Sequence, residues 1–214
     1  MKADILEQVV EEYLQHRGYF TMHNVRFKPR REHPAWKERK DDVSSDVDVL
    51  GINPLKHGSE RVWVVSCKAW QSGFHAISKM AALEKSVALA PADEPENGSK
   101  FRPRAPWKFF RELSVPKWSE AFRNRVFEVT GQGEFHYFLA VTRLIGDASV
   151  WTDSPLIKTN LANNPFGFLT METMWTEVLE RLGTTPAATS IGRLGQLLKA
   201  ARLSHSSSGR KRRK

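Results

Sequence analysis

The sequence predicts an α/β fold: a mixed central β-sheet flanked by helices, with a basic insertion and extra C-terminal helices. Three observations carry this. An amphipathic helix precedes a set of alternating strands, a nearly unbroken apolar segment follows two further helices, and amphipathic helices close the chain.

The elements follow in order. Over 3–17, Leu6, Val9, Val10, Tyr13 and Leu14 recur at helical spacing, and Gly18 is a stop signal. Residues 19–27 read as a strand, and 28–42, with Pro29 and Pro34, as a charged loop. Segment 43–52 alternates, with Val47 and Val49 expected on one face and Asp46, Asp48 and Leu50 on the other. A turn over 53–60 leads into a strand over 61–69, expected to set Val62, Val64, Ser66 and Lys68 against Trp63, Val65 and Cys67. Residues 74–90 are Ala-rich and helical, and 117–129 form another helix. The apolar run 135–145 suits a central strand covered on both faces. Helices are expected over 170–182 and 190–203.

One domain is expected over 1–203, with a core at about 3–90 and 117–150, a basic insertion at 91–116 and a helical part at 151–203. Residues 204–214 read as a disordered basic tail. The chain has 214 residues, 40% of them hydrophobic, enough to bury a core without staples. One cysteine, Cys67, excludes a disulfide framework and a Cys-rich zinc site. No apolar run approaches the roughly 20 residues that span a bilayer, and 1–12 lack a signal-peptide core. A soluble, cytoplasmic protein without a membrane partner is expected.

The charge is unusual: 33 Lys and Arg against 24 Asp and Glu, a net +9. Such an excess points to a polyanion, most often nucleic acid. Five of these charges belong to the tail, which leaves +4 elsewhere. Two internal stretches are basic. The first carries Lys28, Arg30, Arg31, Lys37, Arg39 and Lys40; the second carries Lys100, Arg102, Arg104, Lys108, Arg111, Lys117, Arg123 and Arg125. The second also holds Phe101, Trp107, Phe109, Phe110 and Trp118. These aromatics either stack on unpaired bases or anchor the segment to the core. The arginines and lysines at 30, 31, 37, 39, 40, 102, 104, 108 and 111 are the candidate phosphate contacts. No GxxxxGK[ST] or GxGxxG motif points to a nucleotide-dependent motor or dinucleotide enzyme.

The chemistry-bearing pattern is Ser45-Asp46-Val47-Asp48-Val49-Leu50 followed by Val64-Val65-Ser66-Cys67-Lys68. A carboxylate or an ammonium on an apolar strand is costly unless it meets a partner. Adjacent strands bring such groups within about 5 Å of each other. A carboxylate that holds Mg²⁺ or Mn²⁺, beside a lysine that orients water, suits phosphodiester hydrolysis. No His/Cys cluster suits zinc.

At these residues the sequence resembles the PD-(D/E)xK nuclease superfamily, of restriction-endonuclease-like fold, and most of all its Mrr-type and Holliday-junction-resolvase-type branch. The resemblance covers roughly 5–71 and the order of the later helix and strand; 100–125 and the C-terminal third lie outside it. Glu7, Val10, Leu14 and Gly18-Tyr19 fit the first-helix pattern, Asp48 the strand aspartate and Lys68 the lysine. The resemblance implies an endodeoxyribonuclease with Mg²⁺ or Mn²⁺ held by Asp48, the Cys67 carbonyl and Asp46 or Glu7. It implies a water-positioning role for Lys68 and a place near the active site for Gln71. DNA is the implied partner, with RNA and a homodimer left open. One position departs from the pattern: Ser66 stands where the family has an acidic residue. Either the carboxylate has moved to Asp46, Glu7 or Glu84, or fewer acids suffice, or the chain binds nucleic acid without cutting it. Cys67 itself reads as a buried, inert thiol.

Overall fold

The structure is a computed structural model that describes residues 4–38, 41–88, 105–183, 187 and 189–208. Helix α1 (Ile5–His16) begins where the Asp4 side chain accepts a 2.9 Å hydrogen bond from the Leu6 N–H. It ends at Gly18, whose φ of 82° lets the chain reverse so that the Tyr19 N–H returns to the Leu14 carbonyl at 3.0 Å. Strands β1 (Phe20–Phe27), β2 (Ser45–Ile52) and β3 (Val62–Lys68) follow as an antiparallel meander. After the short β4 (Phe74–His75) come α2 (Ala76–Ala88), α3 (Arg111–Ser114) and α4 (Pro116–Thr130). Gly131, at φ 66°, closes α4. Next are β5 (His136–Val141), β6 (Leu144–Ile145), α5 (Ser149–Thr152), α6 (Pro155–Asn160) and β7 (Phe166–Thr170). Helices α7 (Met171–Arg181) and α8 (Ser190–Ser208) complete the order.

The main sheet has five strands in the order β1-β2-β3-β5-β7, with β5 parallel to β3 and β7 parallel to β5. It is therefore mixed, and helices cover both faces, as expected from the sequence. One face packs Val62, Val64, Tyr137, Leu139 and Val141 against residues of α2 to α6. The other packs Trp63, Val65, Phe138 and Ala140 against α1 and α7. The apolar run of β5 thus feeds both cores, which explains why it shows no alternation.

Several elements differ from expectation. The apolar run breaks after Val141, and β6 pairs instead with β4 in a separate two-stranded sheet. Strand β7 and the short helices α3, α5 and α6 are additional. Part of the expected exposed insertion is core: Phe110, Glu112, Leu113 and Ser114 are all buried. Phe110 and Trp118 are therefore anchors of the core, not platforms for bases. The last helix runs to Ser208, past the expected end at 203. The rest of the expected tail, 209–214, lies outside the described residues, as do 91–104.

The basic loop after β1 is tied to α4. The buried Asp41 carboxylate accepts the Lys37 N–H at 2.7 Å and the Lys117 ammonium at 2.5 Å, and Lys117 also donates to the Ala35 carbonyl at 2.9 Å. Lys117 is therefore a structural cation. Asp41→Ala strands a mostly buried ammonium and a backbone N–H together, so it should cost about 2–3 kcal/mol in urea-induced unfolding. An unchanged midpoint would show that the loop is not held this way.

Candidate active site

The site forms where two strands part. The β2–β3 ladder ends at Val49↔Val65, so Asp48 and Ser66 are not a paired position. On the other side of β2, the ladder with β1 skips one pair, between His23↔Val49 and Val25↔Val47. The skipped residues are Asn24, at φ 53°, and Asp48. A positive φ outside glycine favours asparagine, and it twists the strand locally. Both strands change face there: Val25 and Val47 join one core, whereas Val49 joins the other and His23 meets Glu11 of α1. The expectation that Val47 and Val49 share a face is therefore corrected: Val47 shares its core with Leu50 instead.

At this twist the Asp48 side chain replaces the missing ladder bonds. Its Oδ2 accepts the Cys67 N–H at 2.5 Å and the Ser66 hydroxyl at 3.2 Å. Lys68 Nζ donates to the Ser66 Oγ at 2.9 Å. Ser66 thus joins the carboxylate and the lysine that the sequence pairs directly. Burial raises the Asp48 pKa above its ordinary 3.8, opposed by the Lys68 charge and the Cys67 N–H. Glu7 is raised from 4.5 by burial and then by the charge of Asp48, so α1 brings the two carboxylates into one field. Burial also pushes the Cys67 thiol well above its usual range, which fits an inert thiol whose backbone serves the site.

A raised carboxylate favours the folded state below its unfolded pKa, and that contribution is lost as pH rises through the folded value. Glu7→Gln removes a group of this kind. Its unfolding midpoint should therefore gain on wild type as pH rises from about 4 to about 7. A gain that shrinks over this range would contradict the shared field.

Other expected residues fall less centrally. Asp46 is exposed, yet its charge still reaches Asp48. Gln71 is exposed in the turn after β3, and Glu84 is exposed on α2. Arg30 and Arg31 are about three-quarters exposed, 74% and 75%, with loose ion pairs to Glu128 at 3.8 Å and Asp42 at 3.7 Å. Such pairs exchange readily for phosphate. Lys108 lies over Trp107 at 5.4 Å and Arg111 over Trp118 at 4.7 Å. Lys37 engages the Asp41 carboxylate through its backbone N–H. Arg39, Lys40, Arg102 and Arg104 lie outside the described residues. Beside the loop, a groove of about 640 Å³ is lined by Arg26, Lys28, Arg30, Lys117 and Arg125, among others.

Sequence reasoning missed Glu112. It is 7% exposed and accepts the Tyr137 hydroxyl at 2.6 Å. Burial raises its pKa, opposed first by the Lys68 charge. The Tyr137 hydroxyl also interacts with Ser66. Glu112 stands between Phe110 and Leu113, two buried apolar neighbours, so the reasoning that picked out Asp48 applied here too.

Among the described residues, no group of three or more His, Cys, Asp and Glu side chains is placed to hold a metal ion. A cation here would rest on one or two carboxylates, a carbonyl and water, a set that Mg²⁺ accepts. No described helix is long and apolar enough to cross a membrane. No family model, curated protein or solved structure matches the chain.

Proposed function

We propose that this chain is a metal-dependent endonuclease-like protein of restriction-endonuclease-like fold that hydrolyses DNA phosphodiester bonds at Asp48 and Lys68. The observation that carries this reading is the Asp48 carboxylate at the parting of β2 and β3, joined through Ser66 to Lys68. A helix, a three-strand meander, further helices and a parallel strand frame it, in the order that the resemblance implies.

The donor set fits Mg²⁺ or Mn²⁺. The Asp48 charge raises the Glu7 pKa and the Asp46 charge raises that of Asp48, a repulsion that a divalent cation would relieve, and all three offer hard oxygen ligands. Asp48 would hold the ion with the Cys67 carbonyl and with Glu7 or Asp46. Bound there, it would polarise the phosphate and acidify a water. The residues of the chain supply the rest. The Lys68 ammonium, anchored on the Ser66 Oγ, stabilises charge that develops on the phosphoryl oxygens and orients the attacking water. Asp48 fixes the end of β3 through the Cys67 N–H and so sets the direction of Lys68. Arg30, Arg31 and the neighbouring loop cations contact the phosphate backbone, which makes binding sensitive to salt.

Cleavage of supercoiled plasmid and of single-stranded and branched oligonucleotides tests the reading. Wild type should cut one of these with Mg²⁺ or Mn²⁺, whereas Lys68→Ala should be slower by about 10² or more. Activity that survives both Lys68→Ala and Asp48→Asn would sink the assignment. A second reading, binding without cutting, is favoured by Ser66, which is neutral and already spends its hydroxyl on Asp48. Salt-sensitive, metal-independent binding with no cleavage of any substrate would decide for it.

A further inference from the structure

We infer that Glu112, together with Tyr137, is the positioning residue for Lys68, and that it supplies from α3 the negative charge that Ser66 does not carry. The inference rests on the nuclease reading for its purpose but not for its geometry.

Four observations converge. Glu112 is a buried carboxylate in the first turn of α3, a segment otherwise packed into the core. Its Oε1 accepts the Tyr137 hydroxyl at 2.6 Å, and Tyr137 pairs across the β3–β5 ladder with Val64, two residues before Ser66, the acceptor of the Lys68 ammonium. Lys68 Nζ lies 6.0 Å from the centroid of Phe110, the residue that caps α3, so the lysine leans toward this helix. The Lys68 charge reaches Glu112 as well as Asp48, across space rather than by a direct ion pair. The Lys68 charge therefore bears on two carboxylates, the half-buried Asp48 of β2 and the buried Glu112 of α3.

A buried carboxylate is retained only if something compensates its desolvation. One hydroxyl donor and one ammonium in range provide this. The register of Tyr137 with Val64 sets the hydroxyl, and the carboxylate it meets, close to the serine that holds the ammonium. A glutamate at position 66 would put a carboxylate directly beside Lys68 Nζ. Here Ser66 is the spacer, and the charge is held one shell further away.

The inference makes positions 66 and 112 interchangeable as places for the carboxylate. Three forms test it: Glu112→Gln, Tyr137→Phe and the double variant Glu112→Gln with Ser66→Glu. Glutamine can still accept the Tyr137 hydroxyl, so Glu112→Gln should fold, which a melting curve verifies. Lys68 acylation by acetic anhydride, read by mass spectrometry against the exposed Lys158, reports the restraint on the amine without requiring activity. Acylation should rise about tenfold in Glu112→Gln and return toward wild type in the double variant. Single-turnover cleavage should fall about 100-fold in Glu112→Gln and recover at least about tenfold in the double variant. Tyr137→Phe should shift both readouts in the same direction by smaller factors. Mn²⁺ affinity by calorimetry should stay within about threefold of wild type in Glu112→Gln.

Unchanged Lys68 acylation in Glu112→Gln would overturn the inference, as would failure of Ser66→Glu to reverse it. Loss of Mn²⁺ affinity as large as that in Asp48→Asn would overturn it too, by making Glu112 a ligand. Acylation that responds as expected in a chain that cuts nothing would uphold the positioning role and remove the nuclease reading.

Discussion

Asp48→Asn is expected to lower metal-dependent cleavage by about 10³ or more while raising stability at neutral pH. The two effects have one origin. Asp48 carries a charge that burial and Asp46 oppose, and the folded chain tolerates it with help from Lys68 and the Cys67 N–H. Asparagine keeps an oxygen for the Cys67 N–H and the Ser66 hydroxyl, so the end of β3 stays in place. The charge itself is lost, and with it the ligand and the electrostatic partner of Lys68. The pKa of Asp48 lies above that of the unfolded chain. Its favourable contribution is therefore present at low pH and lost as pH rises through the folded value. The stability advantage of asparagine should accordingly widen between about pH 4 and about pH 7. Paired melting and cleavage measurements check this. A variant that loses activity only because it unfolds would contradict the account.

Trp151→Ala should cost about 4 kcal/mol in urea-induced unfolding, toward the upper end for a large buried side chain. Trp151 is fully buried and joins α5 to α2 through a 2.9 Å hydrogen bond from its Nε1–H to the Ala76 carbonyl. Its ring lies 5.1 Å from those of both Phe74 and Phe110, and 6.1 Å from Phe166 of β7. Truncation leaves a cavity beneath the residue that caps α3 and an unsatisfied carbonyl. Trp151→Phe fills most of the space and loses mainly the hydrogen bond, which should cost only about 1–2 kcal/mol. Equal losses in the two variants would mean that packing is not what holds α5. Because Phe110 adjoins both Trp151 and Lys68, the alanine variant should also free Lys68.

Much of this architecture was legible in the sequence. The apolar stripe of α1, the alternation of β3 and the doubly buried run of β5 are local patterns, and the folded chain keeps each, whereas β2 changes face near Asp48. Asp48 and Lys68 stood out because charge on an apolar strand needs a partner, and the two do share one site, through Ser66. What escaped depends on contacts distant in sequence or on a single backbone angle. Nothing local signals that Asn24 adopts φ 53° and rotates β1 and β2 together at Asp48. Strand β7 was hidden by Gly167 and by its direct continuation into α7. Glu112 sat within a stretch read for its positive charge, and its partner Tyr137 lies 25 residues away. The same blindness affected Lys117, whose ammonium looks available in sequence yet is bound to Asp41.

The most direct measurement is anomalous diffraction from crystals of the whole chain soaked in Mn²⁺. The account predicts one peak between the Asp48 carboxylate and the Cys67 carbonyl oxygen, absent from Asp48→Asn crystals soaked in the same way. An empty site in wild-type crystals at saturating Mn²⁺, with Asp48 still held by Ser66 and the Cys67 N–H, would contradict it and leave those hydrogen bonds as the whole role of Asp48.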